Sequence, residues 1–312
     1  MSQNKLGLIT HCDVNYLSRA LALIHSLREN GESSPIHVLC HDSLSLEKLN
    51  ELRLVGVYGI SRSIIFESFS ELVDAEETRT SLEFYYLFSP YLLKYLEQLG
   101  YEQLVYLDSD LYFFGSLEST LVPVQNFDVG IVPHRFDDID AHLNMYGIYN
   151  VGLVYFKRNS LALETLEWWA KSCLQSTKLE VTEKAFGDQK YLDYFKLMKA
   201  SVYVFNSHGH NTAPWNNRSA ELLKAGDIGI RGEKLYYYHF SGLRIYRRFA
   251  TLGFTSYRKK PNKIMKRNVY KRYIKDVVYW ENVIGNPNRV DFRKIGLREI
   301  LNAIRYRDVL FI

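Results

Sequence analysis

Leu104-Val-Tyr-Leu-Asp-Ser-Asp-Leu-Tyr-Phe-Phe114 is the stretch whose reading decides the fold. Its first residues, Leu104 to Leu107, form a short apolar run with Gly100 upstream, the signature of a buried strand in a parallel sheet. Asp108 and Asp110 arrive where that strand ends, and open α/β sheets bind ligands at the carboxyl ends of their strands. In an extended segment positions i and i+2 point the same way, so both carboxylates are expected to face one hard cation, Mn²⁺ or Mg²⁺. Polar groups placed directly behind a hydrophobic strand need a partner. A second Asp-x-Asp, Asp138-Ile-Asp140, lies in a polar stretch with no strand before it. It serves as an internal control, expected to hold no metal and to tolerate substitution.

The flanking sequence supplies the sheet. Leu6–Thr10 reads as the first strand and Tyr16–Glu29 as a helix, with Leu17, Ala20, Leu21, Ile24 and Leu27 at helical spacing and Asn30-Gly31 closing it. Ile36–Cys40 is the second strand, followed by a helix to Leu54 that Ser45 is expected to cap. Leu82–Leu99 is amphipathic and expected to break at Ser89-Pro90. Further strands are read at 128–133, 149–156, 202–205 and 235–238, with a helix at 161–174. The β-α-β-α opening predicts a doubly wound, mainly parallel sheet with helices on both faces. The first βα loop lacks the glycine pattern of dinucleotide folds and the Gly-rich, Lys-terminated loop of NTPases, which argues against an NAD enzyme or a kinase.

Composition adds bounds. The chain has 312 residues, 47% hydrophobic and 24% charged, an ordinary globular balance. Cys12, Cys40 and Cys173 are odd in number and widely spaced, so neither a disulfide framework nor a zinc knuckle is expected, and a reducing cytoplasm fits. No signal peptide and no apolar run of membrane-spanning length is read. The overall charge of +4 is unevenly spread: residues 256–312 hold 15 Lys/Arg and 5 Asp/Glu, a local +10 that leaves −6 on residues 1–255. The expected organisation is therefore a catalytic body, 1–255, and a short basic, aromatic and helical extension, 256–312. Such an extension suits an anionic membrane surface, and without a nucleic-acid motif no nucleic acid is expected.

Other polar residues sit at strand ends or helix starts. His239 can complete a cation site of two carboxylates and one imidazole, or be structural. Asp188 can cap a helix or, with Gln189, face a sugar. Asn150 can be a turn residue. Trp215 can stack on a sugar or fill the core, and His11 and Asp13 can touch a base or ribose or belong to a polar loop.

Taken in order, Tyr106–Phe114, His134-Arg-Phe136, Tyr146-Gly-Ile-Tyr-Asn-Val-Gly152, Phe186-Gly-Asp-Gln-Lys-Tyr-Leu192, Ala213-Pro-Trp-Asn216 and Tyr238-His-Phe-Ser-Gly-Leu-Arg244 resemble the GT-A nucleotide-diphospho-sugar glycosyltransferases encoded with bacterial surface-polysaccharide genes. The set is more remotely similar to glycogenin and to the retaining galactosyltransferases of lipooligosaccharide synthesis. The resemblance implies that Asp108, Asp110 and His239 hold Mn²⁺ or Mg²⁺, and that Asp188, Gln189 and Asn150 lie at the reacting sugar. It implies donor contacts from Thr10, His11, Asp13, Tyr16, Asp108, Ser109, His134, Arg135, Gly242 and Arg244, and acceptor contacts from Trp215 and Asn216. One departure stands out. The remote relatives follow their His-x-x-Gly with a Lys-Pro-Trp that reaches the pyrophosphate, and here Leu243-Arg244-Ile245-Tyr246 follows, with Arg244 in the lysine's place.

The expected function is metal-dependent transfer of a sugar from a nucleotide-diphosphate donor to a saccharide or lipid-linked acceptor in surface polysaccharide synthesis, in the cytoplasm or at the inner membrane face. Two other classes compete with it: a non-catalytic sugar-binding protein of the same fold, and an Asp-x-Asp metal phosphohydrolase. The phosphohydrolase wants its motif in the first core strand, and here the motif follows about a hundred residues of chain.

Overall fold

Seven strands form the central sheet in the order β3-β2-β1-β4-β7-β6-β8. The computed structural model describes residues 5–217, 219–224, 226–285 and 297–312. β1 (Leu6–Cys12), β2 (Ile36–Cys40), β3 (Val57–Ser61) and β4 (Gln103–Leu107) run parallel. β7 (Tyr149–Lys157) is antiparallel to both β4 and β6 (Val129–Pro133), and β8 (Val202–Val204) is parallel to β6. The sheet is thus mainly parallel, as expected, with one reversal. β4, read as a strand between parallel neighbours, lies at the junction of the parallel and antiparallel parts. Its apolar run is explained by burial on both faces, whichever way its neighbours run.

The helices cover both faces. α1 (Leu17–Glu29) and α2 (Ser43–Glu51) pack with the core that contains Leu8, Val38, Val105 and Leu153. The short α3 (Arg62–Ser68) and α4 (Glu71–Glu77) lead to α5 (Ser81–Gln98), which packs with α7 (Ser160–Gln175) over the core that contains Ile9, Leu104, Tyr106 and Val154. Alternate residues of β4 therefore feed opposite cores, the period-2 rule of a buried strand.

Two local expectations are corrected. Asp42, not Ser45, caps α2: its carboxylate accepts the Ser45 N–H at 2.8 Å. The long helix does not break at Ser89-Pro90. α5 runs unbroken from its Thr80–Glu83 capping box, because proline's fixed φ is already helical and Phe84, Leu87, Phe88, Tyr91, Leu92, Leu93 and Leu96 all bury around the missing N–H.

β5 (Leu111–Phe113) leaves the main sheet just after Asp110 and pairs antiparallel with β12 (Tyr237–His239). The strand read at 235–238 is this β12, two residues later than expected. Between them in sequence come α6 (Leu117–Leu121) and a small antiparallel sheet of β9 (Glu221–Leu222), β10 (Ile228–Ile230) and β11 (Glu233–Lys234).

The basic segment after residue 255 packs on this frame. Met265, Val269, Tyr270, Tyr273, Ile274 and Val277 are buried with Tyr112, Tyr238 and Phe240, and α8 (Lys271–Val283) lies along α1. After α9 (Leu297–Arg305), β15 (Val309–Phe311) completes a three-stranded sheet with β13 (Arg244–Ile245) and β14 (Phe249–Thr251). The apolar residues that alternate with the lysines and arginines thus face inward. At about 1.5–3 kcal/mol for each large side chain buried, these six contribute on the order of 10 kcal/mol, comparable with the whole stability of a domain. Truncation after residue 255 is therefore expected to yield an unfolded or aggregated product, read as loss of a cooperative thermal transition. A soluble fragment with a sharp transition would contradict this packing.

Candidate active site

Three strand ends build the site. β4 delivers Asp108, the Asp108-Ser109-Asp110 turn leads into β5, and β12 ends at His239, directly opposite Leu111. The two carboxylates converge by a route other than the extended one expected: Leu111 N–H closes a turn onto the Asp108 carbonyl at 3.1 Å. Phe240 N–H then bonds the Asp110 carbonyl at 3.0 Å and pins the histidine's strand to the turn. His239 Nε2 lies 3.0 Å from Asp110 Oδ1 and 3.7 Å from Asp108 Oδ2. One ligand atom from each of the three residues falls within 4.8 Å of the others. Two carboxylate oxygens and an imidazole nitrogen suit a hard or borderline divalent cation.

β7 supports this group from behind. Because β7 runs against β4, its first residues meet the last residues of β4. Asn150 Oδ1 accepts the Gly152 N–H at 2.9 Å, and the Gly152 carbonyl accepts the Asp108 N–H at 2.9 Å. A Cβ on Gly152 would stand 2.6 Å from Asn150 Oδ1 and 2.9 Å from His239 Nδ1, so only glycine leaves room for the imidazole. Arg19, buried on α1, donates from Nη2 to the Leu243 carbonyl at 2.8 Å and anchors the loop that follows His239.

The charges are tuned by these neighbours. Burial raises the Asp108 carboxyl above its ordinary value, against the pull of His239. Burial opposes the Asp110 charge too, but His239 and Arg19 outweigh it and hold that carboxyl low. Burial disfavours charge on His239, yet Asp110, aided by their hydrogen bond, and Asp108 raise it. Asp188 is pushed up to about 7 by burial, with a further push from Asp108 against a Ser89 hydrogen bond of 2.7 Å.

A cavity of about 420 Å³ opens over the trio, walled by Tyr85, Tyr86 and Ser89 of α5, by Phe136, Tyr146, Phe186, Trp215 and Tyr257, and by Asp108, Asn150, Asp188, Gln189 and His239. A second cavity of about 370 Å³ shares His11, Tyr85, Tyr86, Asp108 and His239 with it and adds Asp13, Tyr16, Ser109 and Asp110. The trio lies where the two meet.

Most of the residues singled out in the sequence line one of these spaces, but several have other tasks. Asp188 caps no helix; its carboxylate receives the Ser89 hydroxyl. Gln189 Nε2 donates to the Tyr146 carbonyl at 2.9 Å. His134 stacks on Phe136 in the wall, and its carbonyl receives the Trp215 indole N–H at 3.0 Å. Arg135 turns away: its guanidinium donates to the Phe205 and His210 carbonyls, and it lines neither cavity. Asn216 spends its amide on Ala213 N–H and on the His134 and Asn211 carbonyls, so it shapes the loop and opens onto a different cavity. Thr10 is buried, and Thr10, Gly242 and Arg244 line neither space over the trio. The α5 wall was missed, although a polar Ser89 on an otherwise apolar helix face was a visible signal.

The second Asp-x-Asp is a scaffold. Lys259, 4% exposed, places Nζ 2.8 Å from Asp137 and 3.1 Å from Asp140 and donates to the Trp215 carbonyl. Among the described residues, Asp108, Asp110 and His239 are the one group of ligand-type side chains that converges. Asp140 faces a buried lysine, so, against the expectation that it tolerates substitution, its replacement is expected to cost stability.

The architecture is the GT-A fold. Among solved structures, the chain is similar to the glycosyltransferase GlyE of Streptococcus pneumoniae TIGR4, with TM-score 0.51, 17% identity and coverage of 90% of this chain and 63% of that one. It is also similar to the WbbM bifunctional glycosyltransferase, with TM-score 0.52, 16% identity and coverage of 90% and 51%. The chain spans one half to two thirds of these larger proteins. No family model matches the sequence. Among curated proteins, YfnF of Bacillus subtilis (strain 168), described as an uncharacterised protein, is 31% identical over 245 residues, 73% of this chain and 78% of YfnF. YfnD of the same organism is 25% identical over 236 residues, 74% and 75% of the two chains. The chain belongs to the family of YfnF.

Two outcomes follow from the geometry. Gly152→Ala should displace His239 and lower Mn²⁺ affinity at least tenfold in a calorimetric titration, with the fold kept. Unchanged affinity would mean the imidazole is not a ligand. In metal-free protein, Asp188 keeps its proton to about pH 7 when folded but to near 3.8 when unfolded. The folded state therefore binds the extra proton between those values, and stability falls as pH rises from about 4 to 7, by about 4 kcal/mol at most. Asp188→Asn should flatten that slope in urea titrations run with chelator.

Proposed function

We propose that this chain is a metal-dependent glycosyltransferase that moves a sugar from a nucleotide-diphosphate donor to a saccharide or lipid-linked acceptor, in surface polysaccharide synthesis. The observation that carries the reading is the position of Asp108, Asp110 and His239 at the junction of two cavities, one of which is walled by aromatic rings. The nucleotide belongs in the space lined by His11, Asp13, Tyr16 and Ser109. The transferred sugar and the acceptor belong in the larger space beside Asp188, Gln189, Asn150 and Trp215. Asp108, Asp110 and His239 would hold a cation, which when bound would supply positive charge to the leaving diphosphate.

The chain's own residues do the rest. The aromatic walls offer faces to sugar rings and exclude water. Asn150 and Gly152 hold Asp108 in place, and Gln189 fixes the Tyr146 wall. Asp188, with its pKa near neutrality, is suited to hold or take a proton of the acceptor hydroxyl. No lysine or arginine lines either cavity among the described residues, so the cation is left as the main neutraliser of the diphosphate. The residues assigned to catalysis lie in 1–255, and 256–312, the basic extension, adds Tyr257 to the cavity wall. Exposed Arg258, Lys260, Lys263, Arg267, Lys271 and Lys275 support attachment to the anionic inner face of a membrane. No helix among the described residues is long and apolar enough to cross a membrane. Salt-sensitive co-sedimentation with anionic vesicles but not neutral ones checks that attachment.

The function is tested by a thermal-shift panel of nucleotide sugars with Mn²⁺ and with chelator, followed by donor hydrolysis and transfer assays. The true donor should stabilise only with the cation, by about 2.7 kcal/mol at a hundred times its Kd. Stabilisation without hydrolysis or transfer under any acceptor would favour a binding protein. Asp110→Asn should abolish transfer and cation binding while the melting temperature holds. Asp140→Asn should lower the melting temperature by several degrees yet keep the cation. The reverse pattern would move the metal to the second motif.

A further inference from the structure

A run of hydrogen bonds leads from the end of β2 to the first carboxylate of the trio. His41, just after β2, places Nε2 2.7 Å from His11 Nδ1. His11, in β1, places Nε2 2.9 Å from the Tyr106 hydroxyl, and that hydroxyl donates to Asp108 Oδ1 at 2.8 Å. The direction of every bond follows from the last one. A metal-binding carboxylate only accepts, so Tyr106 spends its one O–H on Asp108. Tyr106 must then accept from His11, which puts the His11 proton on Nε2. His11 Nδ1 is left as an acceptor, so His41 donates from Nε2. Burial favours the neutral imidazole in both rings: it lowers His11 to about 4, and it lowers His41 well below its ordinary value, helped by the facing His11. Three donors in series thus polarise one another toward a single oxygen.

The other oxygen, Asp108 Oδ2, is the one that faces His239. We propose that His41, His11 and Tyr106 are positioning residues that hold Asp108 as a one-oxygen ligand, and thereby make the cation site select Mn²⁺ or Mg²⁺ over Ca²⁺. Ca²⁺ takes six to eight oxygens and readily uses carboxylates through both, whereas the smaller ions take six at short range. With one lone pair of Oδ1 committed to Tyr106, turning the carboxylate to raise the oxygen count would cost that hydrogen bond. Tyr106 cannot yield, because it is fully buried in β4 and its hydroxyl is fixed from both sides. His11, expected from the sequence to touch a base or ribose, has both ring nitrogens committed to this series.

The inference rests on the cation site proposed above, and the experiment separates the two. Free Mn²⁺ is measured by electron paramagnetic resonance in titrations of metal-free full-length protein, and bound Mn²⁺ is then displaced with Ca²⁺. The proteins are wild type, Tyr106→Phe, His11→Leu and His11→Gln, each checked for a cooperative thermal transition. Wild type should release Mn²⁺ only to a hundredfold or greater excess of Ca²⁺. Tyr106→Phe should lower that excess at least tenfold, and His11→Leu should lower it in the same direction. His11→Gln, whose amide can donate to Tyr106, should restore the wild-type ratio. The same Ca²⁺ excess in wild type, Tyr106→Phe and His11→Leu would overturn the assignment while leaving the cation site standing. A wild type that binds no Mn²⁺ would overturn both. Should Tyr106→Phe fail to fold, the two His11 variants carry the comparison by themselves.

Discussion

The pairing of β5 with β12 is the constraint on which the rest depends. It joins residues 111–113 to residues 237–239 and sets an imidazole against a turn that carries two carboxylates. Without it, Asp108 and Asp110 would be like charges held together with only Arg19 to offset them, an arrangement that proteins avoid. Much of the structure protects this small pair. α1 presses on β5, and the Ser26 hydroxyl accepts the Phe113 N–H at 3.0 Å. Tyr238 and Tyr112, on its outer side, bury into the aromatic cluster supplied by the segment after residue 255. That segment therefore supports the geometry of the site from a distance.

Buried charges in the molecule are handled by local exchange. Arg19 answers Asp110 electrostatically and the Leu243 carbonyl by hydrogen bond; Lys259 answers Asp137 and Asp140 while tying down Trp215. Asp188 has no cationic partner among the described residues, and burial pushes it toward keeping its proton. The contrast between two Asp-x-Asp motifs in one chain shows what spacing leaves undetermined. Asp108 and Asp110 meet an imidazole in front of an open cavity, whereas Asp140 meets a lysine that fills the space between it and the Trp215 loop.

The fold was legible because it rests on local pattern. β1, β2, β4, β6 and β7 each announce themselves as short apolar runs, and α1 and α7 as helical repeats. What could not be read was everything that depends on partners distant in the chain. The reversal of β7 leaves no mark on a strand buried on both faces. Pro90 reads as a break, because the seven side chains that hold α5 around it are visible only in three dimensions. The convergence of Asp108, Asp110 and His239 was legible because the carboxylates follow a strand and the histidine ends one. Arg135 and Asn216 resembled ligands, but the carbonyls they satisfy belong to loops that no spacing rule brings near. The inner side of the aromatic tail could not be read, because a charge-rich helix looks the same from outside whether its other face meets a membrane or a core.

The reversal of β7 has a consequence for how the site comes into being during folding. The β1-α1-β2-α2-β3 unit can assemble from contacts close in sequence, but Asp108 is fixed by a strand that begins some forty residues later, and His239 reaches it across more than a hundred. The sheet that flanks the histidine loop closes only when β15 pairs with β14. Contacts of such long range pay their loop-closure entropy late. The scaffold and the chemistry are therefore expected to mature at different times: until β15 is added, β14 keeps an open edge, the kind of feature that chaperones recognise.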